Sequence, residues 1–403
     1  MTDTTIGAVH RAASTTVFPV IFAVSLCHLL NDVMQSLLAA LYPMLKEDYA
    51  LDFWQIGLLT FTFQVTASLL QPAIGLYTDK RPLPQSLPFA MASTMCGLVL
   101  LAFASTYPLL LAGAGMIGLG SAIFHPEASR VARLASGGRY GLAQSLFQVG
   151  GNFGTAVGPL LAAFIVVPRG QGSVAWFTLI ALLGMVILRQ VGNWYGRYRA
   201  ANAGRPAAST TLPIERRRVV FSIAILALLV FSKHTYTASI SSYYTFFLIE
   251  RFDLSVQQSQ MMLFLFLGAL AVGTVIGGPI GDRLGSKTVI WFSILGVLPF
   301  TLALPYADLF WSGALSVAIG VILASAFPAI VVFGQELVPG RVGMIAGIFF
   351  GFAFGIGGIA AAVLGVVADT KGIEYVYWIC SFLPLLGLLT VFLPSMKELR
   401  RAR

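Results

Sequence analysis

Apolar residues run through this chain in long stretches that neither alternate like a half-buried strand nor repeat like a helix with one wet face. A helix crossing the ~30 Å hydrocarbon core needs about 20 such residues, and its backbone groups must bond to one another. Runs of that length predict spans near 18–45, 54–77, 86–105, 108–130, 141–167 and 173–194. A second set follows near 219–249, 256–280, 288–307, 310–337, 342–368 and 374–394. The first apolar stretch, Phe18 to Cys27, runs on into His28, Asn31 and Asp32 with no small-residue cleavage site, so it reads as a span and not as a signal peptide. The expected fold is an all-α membrane protein of twelve transmembrane helices in two pseudo-symmetric six-helix bundles.

Punctuation between the spans divides the chain. The stretch 195–218 is the one long polar linker, carrying Pro206, Ala207, Ala208, Ser209 and six arginines, and it reads as a solvated, flexible connection. It separates an N-terminal bundle, 1–194, from a C-terminal bundle, 219–403. The two share a pattern. Gly75 precedes Asp79 by four as Gly278 precedes Asp282, Pro126 matches Pro328, and Gly138-Arg139-x-Gly141 matches Gly340-Arg341-x-Gly343. All recur at a shift of about 202 residues, the mark of a duplicated unit.

Charge then orients the spans. Of the 25 Lys and Arg residues, which include Arg11, Arg205 and Arg403, only Lys46, Arg169, Arg251 and Lys371 fall on one side. Lys233 lies within a span, and the other twenty share the opposite side. That bias places both termini and the linker in the cytoplasm. Composition agrees, with 57% hydrophobic residues, 10% charged and a mean hydropathy of +0.85. A soluble surface needs about 25% charged residues, so most of this exterior must face lipid. The net charge of +9 belongs to topology and not to a nucleic-acid surface. Cys27, Cys96 and Cys380 lie in apolar segments without paired or metal-ligand spacing and read as packing residues.

Six plus six helices, a basic central loop and Gly-x-x-x-Asp-Arg-x-Gly-x-Lys at 278–287 resemble the major facilitator superfamily. The first-half loop Gly75-Leu-Tyr-Thr-Asp-Lys-Arg-Pro82 is a degenerate version, and Gly154-x-x-x-Gly158-Pro159 resembles the antiporter motif of the fifth helix. His28-Leu-Leu-Asn-Asp32, Phe124-His-Pro-Glu-Ala-Ser-Arg130, Gly137-Gly-Arg-Tyr-Gly-Leu-Ala-Gln-Ser145 and Ser241-Ser-Tyr-Tyr-Thr-Phe246 narrow the resemblance to its fosmidomycin-resistance branch of drug/proton antiporters. That resemblance implies proton-driven export of small toxic compounds, a phosphonate antibiotic among them, across the bacterial inner membrane. It also implies a monomer and no cofactor. The pattern departs from many such antiporters at the fourth span, where Ala114 stands four residues before Gly118 in place of an arginine.

Ionisable groups at mid-membrane are costly, about 2.5–3.5 kcal/mol each on insertion scales, so they mark a cavity or a partner. His28, Asn31 and Asp32 share one helix face, where a carboxylate beside an imidazole can hold a shared proton. His28, Asp32 and Glu127 form the expected proton-coupling set. Lys233, His125 and Arg130 are expected to attract an anionic substrate, with Asn31, Gln148, Asn152, Tyr236 and Tyr243 lining its site. For Lys233 the anionic partner is either Asp32 or the cargo. Asp79, Lys80, Arg81, Asp282, Arg283, Arg139 and Arg341 are expected to latch the cytoplasmic ends of the helices, the carboxylates capping helix N-termini or pairing with arginine. Glu336 is a candidate member of that network. The duplicated unit and the lack of a nucleophile–base pair or an His-Glu-x-x-His motif argue against an enzyme. No phosphate-binding Gly-rich loop with Lys points to an ATP-driven pump. Uptake of an organic anion or sugar by proton symport is the alternative within transport.

Overall fold

The computed structural model describes residues 15–203 and 211–401. Arg11, Arg205, the linker residues Pro206 to Ser209 and Arg403 lie outside the described residues. Among those described there is no strand. The principal helical segments are α1 (Phe18–Ala40), α2 (Phe53–Lys80), α3 (Ser86–Phe103), α4 (Tyr107–Ala135), α5 (Tyr140–Arg169) and α6 (Gln171–Ala201). They continue as α7 (Arg216–Phe252), α8 (Val256–Leu284), α9 (Ser286–Tyr306), α10 (Leu309–Leu337), α11 (Val342–Lys371) and α12 (Ile373–Phe392). Eleven are long and apolar enough to cross a membrane. The helix α2, at 28 residues, has the length but is more polar, with Thr60, Thr62, Gln64, Thr66, Ser68 and Gln71 along it. Large apolar side chains such as Phe61, Leu69, Phe89, Phe164, Phe264 and Val366 cover the outside, as lipid contact requires and water contact forbids.

Local chemistry sets the helix ends. Pro19 and Pro108 open α1 and α4 at positions where a missing N–H costs nothing. The helix α8 starts with a capping box in which Ser255 and Gln258 satisfy each other's backbone N–H groups. The Asp308 carboxylate accepts from the Trp311 amide at 2.8 Å to start α10. Several predicted spans are interrupted, the first and the tenth among them. The first ends at Ala40, and the turn at Leu41 leads into a separate short helix over Tyr42–Asp48. The tenth breaks at Ser325, three residues before Pro328, whose ring cannot follow the preceding turn.

Helices pack in a repeated manner. The helix α1 runs along α5, and α4 lies against α2 and α3; later in the chain α8 lies along α10, and α7 along α11. Contacts between the early and late helices run chiefly through α2 with α11 and α5 with α8, joined by α4 with α11. Those pairings bring the ends of α2 and α8 that carry Asp79 and Asp282 onto the starts of α11 and α5.

Candidate functional site

The inward face of α1 carries His28, Asn31, Asp32 and Gln35, all buried. Glycines on α5 let that face come close: a Cβ on Gly151 would strike the His28 ring, and one on Gly154 the Leu29 carbonyl. The His28 ring stacks on Phe147 with centroids 4.1 Å apart, and its Nδ1 lies 2.7 Å from the Phe147 carbonyl. Its Nε2 is 3.4 Å from Asp32 Oδ2. From α4, His125 reaches the same carboxylate, Nε2 to Oδ1 at 3.6 Å, while its Nδ1 lies 2.9 Å from the Ser121 carbonyl. Asn31 and Gln35 donate to Asp32 Oδ1 at 3.1 and 3.3 Å, and Ser121 donates to Gln35 at 3.0 Å. Both imidazoles are thus fixed by a carbonyl, which accepts only, so Nδ1 carries the hydrogen and Nε2 faces the carboxylate.

This cluster opens onto a cavity of about 220 Å³ lined by His28, Asp32, Gln148, Asn152, His234 and Phe327 among others. Gln148 donates to Asn152 at 3.1 Å, and Asn152 to Thr274 of α8 at 3.4 Å, closing one wall with a polar bridge. On the α7 side Lys233 is only 7% exposed, its Nζ 5.9 Å from the centroid of the cavity-lining Phe327 ring. No carboxylate of the described residues lies within ion-pair distance of it. Asp32, the partner weighed from sequence, is engaged by the histidines.

The remaining sequence candidates divide by depth. Tyr236 is buried in a separate aromatic core with Tyr244, Phe247 and Tyr377, and Tyr243 donates to the Ala361 carbonyl at 2.6 Å. Neither lines the cavity. Lys233 and Tyr243 share a helix face, but ten residues of helix separate them by about 15 Å, too far for one small cavity. Arg130 is also elsewhere. It pairs with Glu127 at 2.5 Å and Asp79 at 2.6 Å and donates to Thr78 at 3.0 Å, and Ser86 donates to Glu127 at 3.2 Å. Glu127 and Arg130 therefore belong to the Asp79 end of the helices and not to the cavity.

At that end each aspartate caps a helix from another part of the chain. The Asp79 carboxylate accepts from the amides of Gly343 and Met344 at 2.9 and 2.8 Å; Asp282 accepts from those of Gly141 and Leu142 at 2.7 and 2.9 Å. The helices α5 and α11 have no side-chain cap of their own, their N-cap residues being Arg139 and Arg341. The Gly-Arg-x-Gly repeat now has a physical basis. Gly138 and Gly340 turn the chain at positive φ, 90° and 77°, and Gly141 and Gly343 offer an amide with no Cβ in the way. Arg133 of α4 adds a pair with Glu336 of α10 and donates to Gln335 at 3.2 Å. Lys80, Arg81, Arg139 and Arg283 are exposed, and neither they nor Arg341 form an ion pair among the described residues. Sequence reasoning missed Gln35, Ser121 and the aromatic shell of Phe350 and Phe354 around His125, because polar and aromatic residues are common on every span.

A helical membrane protein with a polar central cavity and paired helix-end caps has the architecture of a secondary transporter, and the sequence profile described as Major Facilitator Superfamily matches residues 24–362 and 236–402. The chain belongs to that superfamily, and it is a transporter, not an enzyme. It is 59% identical over 392 residues to the fosmidomycin resistance protein of Escherichia coli K12, covering 97% of each chain. An uncharacterised MFS-type transporter of Bacillus subtilis 168, YfnC, is 41% identical across 96% of this chain and 95% of its own. The human organic anion transporter MFSD10 shares the fold with a TM-score of 0.74 and 17% identity, over 94% of this chain and 99% of its own.

Proposed function

We propose that the protein exports fosmidomycin-like anionic phosphonates from the bacterial cytoplasm in exchange for protons. In this reading twelve helices, α2 included, form two six-helix bundles, 1–194 and 219–403, with both termini cytoplasmic, joined by the stretch 195–218, whose described ends belong to α6 (to Ala201) and α7 (from Arg216). What supports it is a cavity lined on one side by His28 and Asp32, with His125 behind them, and on the other by His234 and Phe327, with the buried Lys233 beside that ring. A buried ammonium without a carboxylate is costly, and a bound phosphonate would supply the missing anion. Protonation of the Asp32–His28 group competes with substrate at one site that cannot hold both, so protons entering from outside displace the substrate there and their release to the cytoplasm readies the site for the next one. Alternating access follows by rocking the bundles, with the Asp79 and Asp282 caps holding the cytoplasmic end shut in this conformation. Glu127 and Arg130 act in that closure.

The relative named for fosmidomycin resistance supports the substrate class. The test is flux of fosmidomycin in reconstituted vesicles under an imposed pH gradient. Gradient-driven flux is expected to fall at least tenfold in Asp32→Asn, while exchange of labelled for unlabelled substrate without a gradient persists. Flux indifferent to the gradient, or an Asp32→Asn protein that works at full rate, overturns the coupling. A gradient dependence of opposite sign assigns the chain to uptake.

A further inference from the structure

Three acceptor atoms converge where α1 meets α4: Nε2 of His28, the Asp32 carboxylate, and Nε2 of His125. All three side chains are buried, and their ligand atoms lie within 4.8 Å of one another. Each histidine carries its hydrogen on Nδ1, held by the Phe147 or the Ser121 carbonyl. The Nε2 lone pairs therefore face a carboxylate, and no other polar group reaches the buried His125 Nε2 to within hydrogen-bond distance among the described residues. Lone pairs so arranged repel unless a cation lies among them.

The distances decide which cation fits. A good N–H···O bond spans about 2.7–3.2 Å. The two Nε2–carboxylate separations, 3.4 Å from His28 to Oδ2 and 3.6 Å from His125 to Oδ1, are longer. Metal–ligand bonds of about 2.0–2.1 Å place neighbouring ligands of a tetrahedral site about 3.3–3.4 Å apart, close to the separations found. The second shell also has the form that metal sites use, with each imidazole N–H on a backbone carbonyl and the carboxylate oriented by amides, here Asn31 and Gln35. We propose that His28, Asp32 and His125 bind a divalent transition-metal ion, with Zn²⁺ the best match to two imidazoles and a carboxylate. The third edge, between the two Nε2 atoms, is within 4.8 Å, and a ring must turn to bring it to the tetrahedral spacing. Because His28 and Asp32 line the cavity, the fourth position opens toward it and is available to water or an anion.

This site goes beyond the transport reading, since a protein that moved no phosphonate would still bind metal there. The ion would take the lone pairs that the transport reading gives to protons, so zinc is expected to slow gradient-driven flux.

The test is binding, which is independent of flux. Tag-free, full-length protein in detergent is stripped with EDTA and titrated with Zn²⁺ alone, then with Co²⁺ to read coordination from its visible absorption. The chain has four histidines, so each is assignable. One zinc per chain is expected, with affinity about tenfold to a hundredfold lower in His125→Gln and in His28→Gln and unchanged in His234→Gln. Wild-type protein, monodisperse by gel filtration, that retains no zinc overturns the site, as does zinc binding that survives both substitutions. Where the variants fail to fold, the wild-type cobalt spectrum decides: tetrahedral bands support the site, and their absence overturns it.

Discussion

The two trans-caps, at Asp79 and at Asp282, do the same geometric work with different electrostatics. Asp79 and Asp282 each accept from two successive amides at the start of a helix they do not belong to. Around Asp79, however, stands a buried ion network of Arg130 and Glu127, both on α4. At the matching positions of α10, about 202 residues on, the chain has Val332 and Ala329. The cap, which depends on a backbone arrangement, recurs in both copies, while Arg130 and Glu127 have no charged counterparts at the matching positions. The same asymmetry holds deeper in. The position matching His125 is Phe327, and the aromatic ring there faces Lys233 where its counterpart faces Asp32. The first copy of the repeat thus carries Asp32 and its histidines at the cavity, and the second carries the buried Lys233 beside the cavity-lining Phe327.

The largest expected effect separates the two caps by their charges. Replacing Arg130 with Met leaves Glu127 and Asp79 buried with their positive partner gone. Breaking a buried pair in this way costs about 3–5 kcal/mol, because the remaining charge is uncompensated. Purified Arg130→Met is therefore expected to melt well below the wild type, whereas Val332→Met, at the matching place, should melt close to it. Equal melting of the two variants would show that the network contributes nothing beyond the cap.

Next comes closure itself. Loss of a capping carboxylate costs about 0.5–2 kcal/mol, and near 1 kcal/mol shifts a two-state equilibrium about fivefold. Asp282→Asn is expected to open that end of the molecule by such a factor. Asp79→Asn should open it further, since it also removes one of the two carboxylates on Arg130. Spin labels at the exposed Arg81 and Arg283 positions would read the distance distribution. The ordering breaks if Asp282→Asn opens the protein more.

Glycine substitutions sharpen the same contrast at a smaller scale. A Cβ on Gly141 would meet the Gly278 carbonyl at 2.5 Å, a backbone atom that can move only if α8 moves. A Cβ on Gly343 first meets the end of the Arg130 side chain, with the Gly75 carbonyl at 3.1 Å. Ala at Gly141 is therefore expected to open the closed end more than Ala at Gly343, on the same spin-label readout.

What the sequence reveals follows from how local each cause is. Lipid imposes a local demand, so eleven apolar spans are legible as runs of residues, and α2 is harder to read because its polar side chains line the packing against α11. The cap motif is half legible. Its repeat is visible as a spacing, but that Gly141 and Gly343 are amide donors for Asp282 and Asp79 depends on contacts across the fold. His28 and Asp32 are one helical turn apart and announce themselves, whereas His125 joins them only because α4 packs on α1. Tyr236 and Tyr243 mislead for the converse reason: a shared helix face is a local property, while reach into a cavity is not.

Arg139 and Arg341 give the smallest effect and the most informative one. Both occupy the N-cap of a helix, where a positive charge meets the positive end of the helix dipole and is disfavoured by about 0.3–1 kcal/mol when exposed. Neither forms an ion pair among the described residues. Their presence at both copies of the repeat is thus unexplained by closure, but it fits the excess of Lys and Arg that short cytoplasmic loops carry, on the orientation proposed above. On that argument Arg139→Ala and Arg341→Ala change the closed population by less than a factor of about two, an effect within the ~0.5 kcal/mol usual for surface changes. A marked opening in either variant would instead make the arginine part of the latch, and the comparison of the two caps would have to include it.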